Sequence, residues 1–140
     1  VAQQLEKQIV DGAIEMESLG QQITIRIREN GAFPSGSAYL QSQFRPIIRK
    51  IARLLNDVPG EITVSGHTDD VPLIFGSNYR DNWDLAAARS ASVVQAFAAN
   101  GTISEERLEA ISYGESRPVE PNDSPDGRAK NRRIEIEINY

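Results

Sequence analysis

The sequence predicts an α+β domain in which helices cover one face of a mixed four-stranded sheet, and three observations carry that prediction. Ile23, Ile25 and Ile27 alternate with Thr24, Arg26 and Arg28, the period of a strand with one buried face. Ile134, Ile136 and Ile138 alternate in the same way with Glu135, Glu137 and Asn139. Between these strands lie two stretches of helical periodicity, each followed by a short β-prone segment, so the order reads strand, helix, strand, helix, strand, strand.

The elements follow in order. Residues 1–11 carry Leu5, Ile9 and Val10 among Gln, Glu and Lys, the spacing of an amphipathic helix, so residues 1–20 are assigned as a linker with an N-terminal helix and 21–140 as the domain. After the first strand, GAFPSGS at 31–37 is turn chemistry. Ser37 is a candidate cap for a helix whose apolar face uses Leu40, Phe44, Ile47, Ile48, Ile51, Leu54 and Leu55, with Pro46 marking a kink or a later start. Pro59 and Gly60 end it, and Ile62 and Val64 begin the second strand. A turn-rich loop then leads to a helix from about Trp83 to Ala99, a short helical turn at Ser104 and a third strand from Leu108 to Ser112. Residues 113–130 read as a long loop. The helical connections make the first three strands parallel by right-handed crossovers. Arg26 and Arg28 on the first strand, with Glu135 and Glu137 on the last, predict that these two strands are neighbours.

Composition narrows the function. A chain of 140 residues with 39% hydrophobic and 25% charged residues suits one soluble globular domain. A net charge of -5 and the lack of an aromatic-basic recognition motif argue against nucleic acid. No cysteine is present, which excludes thiolate metal sites and thiol redox catalysis. His67 is the single histidine, so His67 with Asp69 and Asp70 reads as a structural histidine beside two acids rather than a metal site. Neighbouring carboxylates usually point apart, and no activated nucleophile is legible, so hydrolysis is disfavoured and neither metal nor other cofactor is expected.

Three stretches taken together, FPSGSAYL from Phe33, GHTDD from Gly66 with NWDLAAARS from Asn82, and GRAKNRRIEI from Gly127, resemble the OmpA/MotB family of peptidoglycan-binding domains. The resemblance runs from Ile23 to the C-terminus and implies the OmpA-like two-layer sandwich. The FPSGSAYL form and the extended loop from Asp70 to Asp81 are most similar to MotB-type flagellar stator proteins. Ala86 departs from the family pattern, which usually has Ser there.

The family resemblance implies recognition of meso-diaminopimelate in the stem peptide of the wall, whose free end carries an ammonium and a carboxylate. On that basis Asp69, just past the second strand, would take the ammonium, and Arg89 would clamp the carboxylate through its planar fork. Thr68 and Asn82 would line the same site, and Arg132 or Arg133 would approach from the last strand. The residues speak for Arg89 independently: Asn82, Leu85, Arg89 and Val93 share a helical edge, and a cation two turns inside a helix has no dipole reason to be there. A structural ion pair is the competing reading for Asp69 and Arg89, and it predicts that their loss would cost stability rather than binding. Arg128 is expected to order the long loop by bonding its carbonyls, Asn131 to act as a turn or cap residue, and Trp83 to pack at the helix entry.

The resemblance further implies a non-enzymatic wall anchor, the periplasmic domain of a single-pass inner-membrane protein of a Gram-negative bacterium. Its implied partners are peptidoglycan, a second copy in a homodimer, a MotA-type stator subunit and periplasmic flagellar ring proteins. The alternative role is a peptidoglycan tether of an outer-membrane or secretion-system protein.

Overall fold

The computed structural model of the chain describes residues 12–74 and 77–140. Five strands form one sheet: β1 (Ile14–Leu19), β2 (Gln22–Arg28), β3 (Glu61–His67), β4 (Leu108–Gly114) and β5 (Arg133–Asn139). Their spatial order is β1-β2-β5-β3-β4, with only β3 and β4 paired in parallel. Helices α1 (Arg45–Asn56), α2 (Asn82–Ala98) and α3 (Pro125–Asn131) complete the domain.

The α+β class holds, and the sheet has five strands rather than the expected four. The extra strand is β1, a hairpin partner of β2 that falls inside the stretch assigned to the linker. Its apolar positions are few, Ile14 and Met16 on one face, so alternation alone does not mark it. Pairing with β2 nevertheless places Ile14 opposite Ile27, completely buried. The amphipathic helix expected over 1–11 lies outside the described residues.

The first and last long strands are neighbours, as their charges predict. Arg26 sits opposite Glu135, and the two side chains approach to 3.5 Å on the open face. Strands β2, β3 and β4 run in one direction, but β5 inserts antiparallel between β2 and β3, so only the β3 to β4 crossover joins adjacent parallel strands.

The core lies between the sheet and the helices, where Ile25, Ile27, Ile62, Val64, Ile136 and Ile138 meet Ile48, Ile51, Leu55, Val93 and Phe97. Helix α1 begins at Arg45 with Pro46 in its first turn, where a missing N–H costs nothing. Ser37 does not cap it; its hydroxyl accepts from the Tyr39 N–H instead. Helix α2 starts where expected because Asp81 caps it, accepting from Asp84 N at 2.9 Å, while the Asp84 carboxylate accepts from Arg80 N.

Helix α2 sits against β3 through close backbone approach. A Cβ added to Gly66 would lie 2.3 Å from the Ala86 carbonyl oxygen and 2.8 Å from Ser90 Oγ. Gly114, at φ +52°, likewise leaves room for the Trp83 ring, 2.8 Å from where its Cβ would stand. Trp83 therefore packs at the helix entry, as expected. The expected long loop 113–130 is shorter than predicted, because α3 forms within its last residues: Ser124 accepts from Gly127 N and Pro125 opens the helix.

Candidate functional site

Loops at the carboxyl end of β3 build a groove of about 490 Å³ between the FPSGS turn, the segment after β3 and the first turns of α2. The chain leaves β3 at His67, and Thr68 N donates to Gly114 O, which extends the strand pairing by one residue. Asp69 follows, with its side chain only 11% exposed. One carboxylate oxygen accepts from Val71 N, closing a tight turn, and the other accepts from Arg132 Nη1 at 2.7 Å. Asn82, at the start of α2, donates to the carbonyls of Asp69 and Val71 and fixes this turn from below. The Thr68 hydroxyl donates to the Asp69 carbonyl.

Arg89 projects into the same groove two turns along α2, with 3% of its side chain exposed. A buried guanidinium is tolerated only when its charge and donors are matched. Its Nη1 meets Glu29 Oε2 at 2.7 Å, its Nε donates to Ser37 O, its Nη2 donates to Pro34 O, and the Phe33 ring lies 5.1 Å beneath it. Arg89 thus pins the FPSGS turn against α2, assisted by Ser92, whose hydroxyl donates to Ala38 O.

Glu29 is the residue that sequence reasoning missed. Its carboxylate takes Arg89 on one oxygen and Arg132 Nε on the other, at 3.1 Å. The result is a chain of four charges, Arg89, Glu29, Arg132 and Asp69, in which acid and base alternate. Two carboxylates face two guanidiniums, so the groove has no net formal charge. Nothing local in the sequence marks Glu29: it is one acid after a strand, and its partners lie far along the chain. The only available signal is that a buried cation needs an anion from some other element.

Of the six sequence-predicted site residues, Thr68, Asp69, Asn82, Arg89 and Arg132 line this groove. Arg133 does not. It opens β5 on the opposite face, where its guanidinium binds Glu135 at 2.6 Å and donates to the carbonyls of Asn131 and Arg117. Adjacent residues at a strand start point to opposite sides, so only one of the pair reaches the groove. Asp69 and Arg89 do not pair with each other; each is neutralised by a third residue. An apolar rim completes the groove, with Val71 50% and Ile74 83% exposed.

Two supporting roles read from the sequence hold. Arg128 Nη1 donates to Asn122 O, and fully buried Asn131 accepts from the N–H groups of Val119 and Glu120 while donating to Glu120 O and Asn122 Oδ1. His67 lies on the open face, away from the groove. Burial, with a further push from Arg133, lowers its pKa to about 4, so it is neutral at physiological pH. Its Nε2 contacts Ser65 Oγ at 2.9 Å and its ring stacks on Tyr113. Among the described residues no cluster of His, Cys, Asp and Glu could hold a metal, and no helix is long and apolar enough to cross a membrane.

An α+β scaffold that holds a charge-balanced, apolar-rimmed groove beyond a central strand defines a binding module. The OmpA family model matches residues 32–132, and the chain belongs to that family. Motility protein B of Bacillus subtilis (strain 168) is 34% identical over 145 aligned residues, covering 99% of this chain. The chain spans 54% of that relative's length. Among solved structures, the cell wall anchor of the T6SS from Pseudomonas aeruginosa superposes with a TM-score of 0.89 at 31% identity, covering 99% of this chain and 95% of the other. The periplasmic domain of Helicobacter pylori MotB does so with a TM-score of 0.82 at 29% identity, covering 90% and 81%.

Proposed function

We propose that this domain binds peptidoglycan without chemical turnover and anchors a membrane-embedded motor stator to the wall. The observation that carries the reading is the groove itself: Asp69, held beyond β3 and facing Arg132 at 2.7 Å, offers paired acid and base to a ligand end that carries both charges. A diaminopimelate residue of the stem peptide is such an end, with its ammonium directed to Asp69 and its carboxylate to the arginine side. Similarity to Motility protein B and to a MotB periplasmic domain supports the stator role, with a MotA-type subunit and a second copy of the chain as partners and with periplasmic placement. Contact with periplasmic flagellar ring proteins belongs to the same reading.

The groove holds no Ser–His or Cys–His arrangement, since the single histidine lies on the other face of the sheet and cysteine is absent. This supports binding rather than hydrolysis. A second role, the wall tether of a secretion system, is favoured by the match to the T6SS anchor over almost all of both chains. It uses the same groove chemistry.

The test is retention on purified sacculi with free diaminopimelate as competitor. Wild type should be retained and released by the competitor, and Asp69→Ala should lose retention. Retention that ignores both the competitor and the substitution would remove the ligand and the site together, and release of soluble muropeptides would overturn the non-enzymatic reading.

A further inference from the structure

The open face of the sheet gathers positive charge at one place. Arg26 and Arg28 reach it from β2, about 7 Å apart along the strand. Arg28 stands directly opposite Arg133 of β5, and like charges facing each other across a ladder are destabilising. Lys130, exposed near the end of α3, adds a further cation, and the four line one cavity of about 270 Å³. The whole chain carries a net charge of -5, so the grouping is not a consequence of composition. Arg133 is 4% exposed and fully engaged with Glu135, Asn131 O and Arg117 O, which makes it the floor of the cavity. Arg26 and Arg28 are committed less firmly. Each spends Nη2 on a glutamate of β1, Glu17 at 3.0 Å and Glu15 at 3.3 Å, and those glutamates are 56% and 50% exposed. Exposed pairs of this kind are weak. Arg26 Nε also approaches Glu135 Oε2 at 3.5 Å, but that oxygen takes its hydrogen bond from Arg133. Among the described residues neither Nε has a hydrogen-bond acceptor, although both atoms are shielded from water. A shielded donor left unmet is costly, so an acceptor that engages either guanidinium from the cavity gains more than one meeting a solvated side chain.

We propose that this cavity is a second binding site, which takes a phosphate ester between Arg26, Arg28 and Lys130, either as a free organic phosphate or as the headgroup of a phospholipid. A tetrahedral phosphate offers acceptor oxygens in three directions and can meet two guanidiniums and an ammonium together. A planar carboxylate has two oxygens, which a single arginine fork satisfies. Placed between Arg28 and Arg133, the anion turns their mutual repulsion into a shared attraction. Val119, 47% exposed at the cavity wall, gives apolar contact to the carbon side of the ester. Glu15 and Glu120 line the cavity as well, and Glu15 gives up Arg28 when the phosphate enters. The site lies across the sheet from the groove and does not depend on the peptidoglycan reading.

The experiment is a calorimetric titration of the chain with glycerol 3-phosphate at fixed ionic strength, with acetate in a parallel titration. The ester should bind at least about tenfold more tightly than acetate, and Arg28→Gln should remove most of that advantage. Lys130→Gln, at an exposed position, should weaken binding about threefold, and it decides the matter if Arg28→Gln fails to fold. Glu15→Gln should tighten binding about threefold by releasing Arg28, a gain that a purely structural ion pair does not give. Equal affinity for ester and acetate, or wild-type affinity in the folded Arg28→Gln and Lys130→Gln variants, overturns the proposal. Excess diaminopimelate should leave the ester affinity unchanged; competition would put the anion in the groove and overturn the second site. Co-sedimentation with vesicles of phosphatidylglycerol and phosphatidylcholine in equal parts, against phosphatidylcholine alone, separates the two sources. Sedimentation with the anionic vesicles that Arg28→Gln removes assigns the headgroup, whereas ester binding without sedimentation assigns a soluble phosphate.

Discussion

At the scale of single residues, burial decides which substitutions affect stability and which affect binding. The sequence alone suggests that Arg89 is a ligand clamp whose removal spares the fold. The structure adds a structural role, because the guanidinium is buried and ties Glu29, Pro34 and Ser37 to α2. Arg89→Ala removes one of the two cations on Glu29 and leaves two carbonyls without their donor, and should cost about 2–4 kcal/mol in a urea melt. His67 gives the pH dependence. Its folded pKa of about 4 lies below the ordinary 6.5, so the unfolded chain takes up a proton first as pH falls. Its contribution is therefore complete above pH 6.5 and is lost progressively between 6.5 and about 4, by at most about 3 kcal/mol. Glu135 works at lower pH. Burial is the largest influence and opposes its ionisation, but the Arg133 hydrogen bond together with the positive charges of Arg133 and Arg26 outweighs it and lowers its pKa, so its share is lost only below the usual carboxylate range. Denaturant midpoints from pH 7 to 5 should fall for wild type and stay nearly flat for His67→Gln; equal slopes would show that the buried imidazole is not the titrating group.

At the scale of elements, caps and pairing partners explain what forms where. Helix α3 is only seven residues, too short to stand alone, and survives through the Ser124 cap, Pro125 in its first turn and the Asn131 and Arg128 bonds to the preceding loop. Ser124→Ala should cost about 1 kcal/mol of stability, read as a shift in urea midpoint. Because α3 delivers Arg132 to the groove, the same change should also weaken muropeptide binding modestly. Strand β1 shows the opposite case: its own pattern is weak, and β2 supplies the ladder and the buried neighbour that define it.

At the scale of the whole molecule, the last strand in sequence is central in space. Strand β5 pairs with β2 on one side and β3 on the other, and contributes three buried isoleucines. Its pairing with β2 joins residues more than 100 apart in sequence, so folding must close a long loop before the central ladder stabilises it. A chain ending at Asn131 should lack cooperative unfolding and near-ultraviolet dichroism; a cooperative melt for that truncation would show that the remaining strands make a core without β5.

The sequence by itself determined the elements whose signal is local. Alternating isoleucines in β2 and β5 and helical stripes in α1 and α2 need no distant partner to be read. Opposite charges on Arg26 and Glu135 even placed two strands side by side. The motif residues also converge on the carboxyl end of β3, where five of the six line one groove, so most of that groove's lining was legible before its shape was known. Tertiary structure alone decided the rest, because the deciding interactions cross the chain. Strand β1 depends on β2 for its ladder, and the choice of Arg132 over Arg133 depends on strand phase at the start of β5. The place of Glu29 between Arg89 and Arg132 depends on three elements meeting at one end of the sheet. A buried charge is stable only when another element supplies its partner, and that pairing is a property of the fold rather than of any local run of residues.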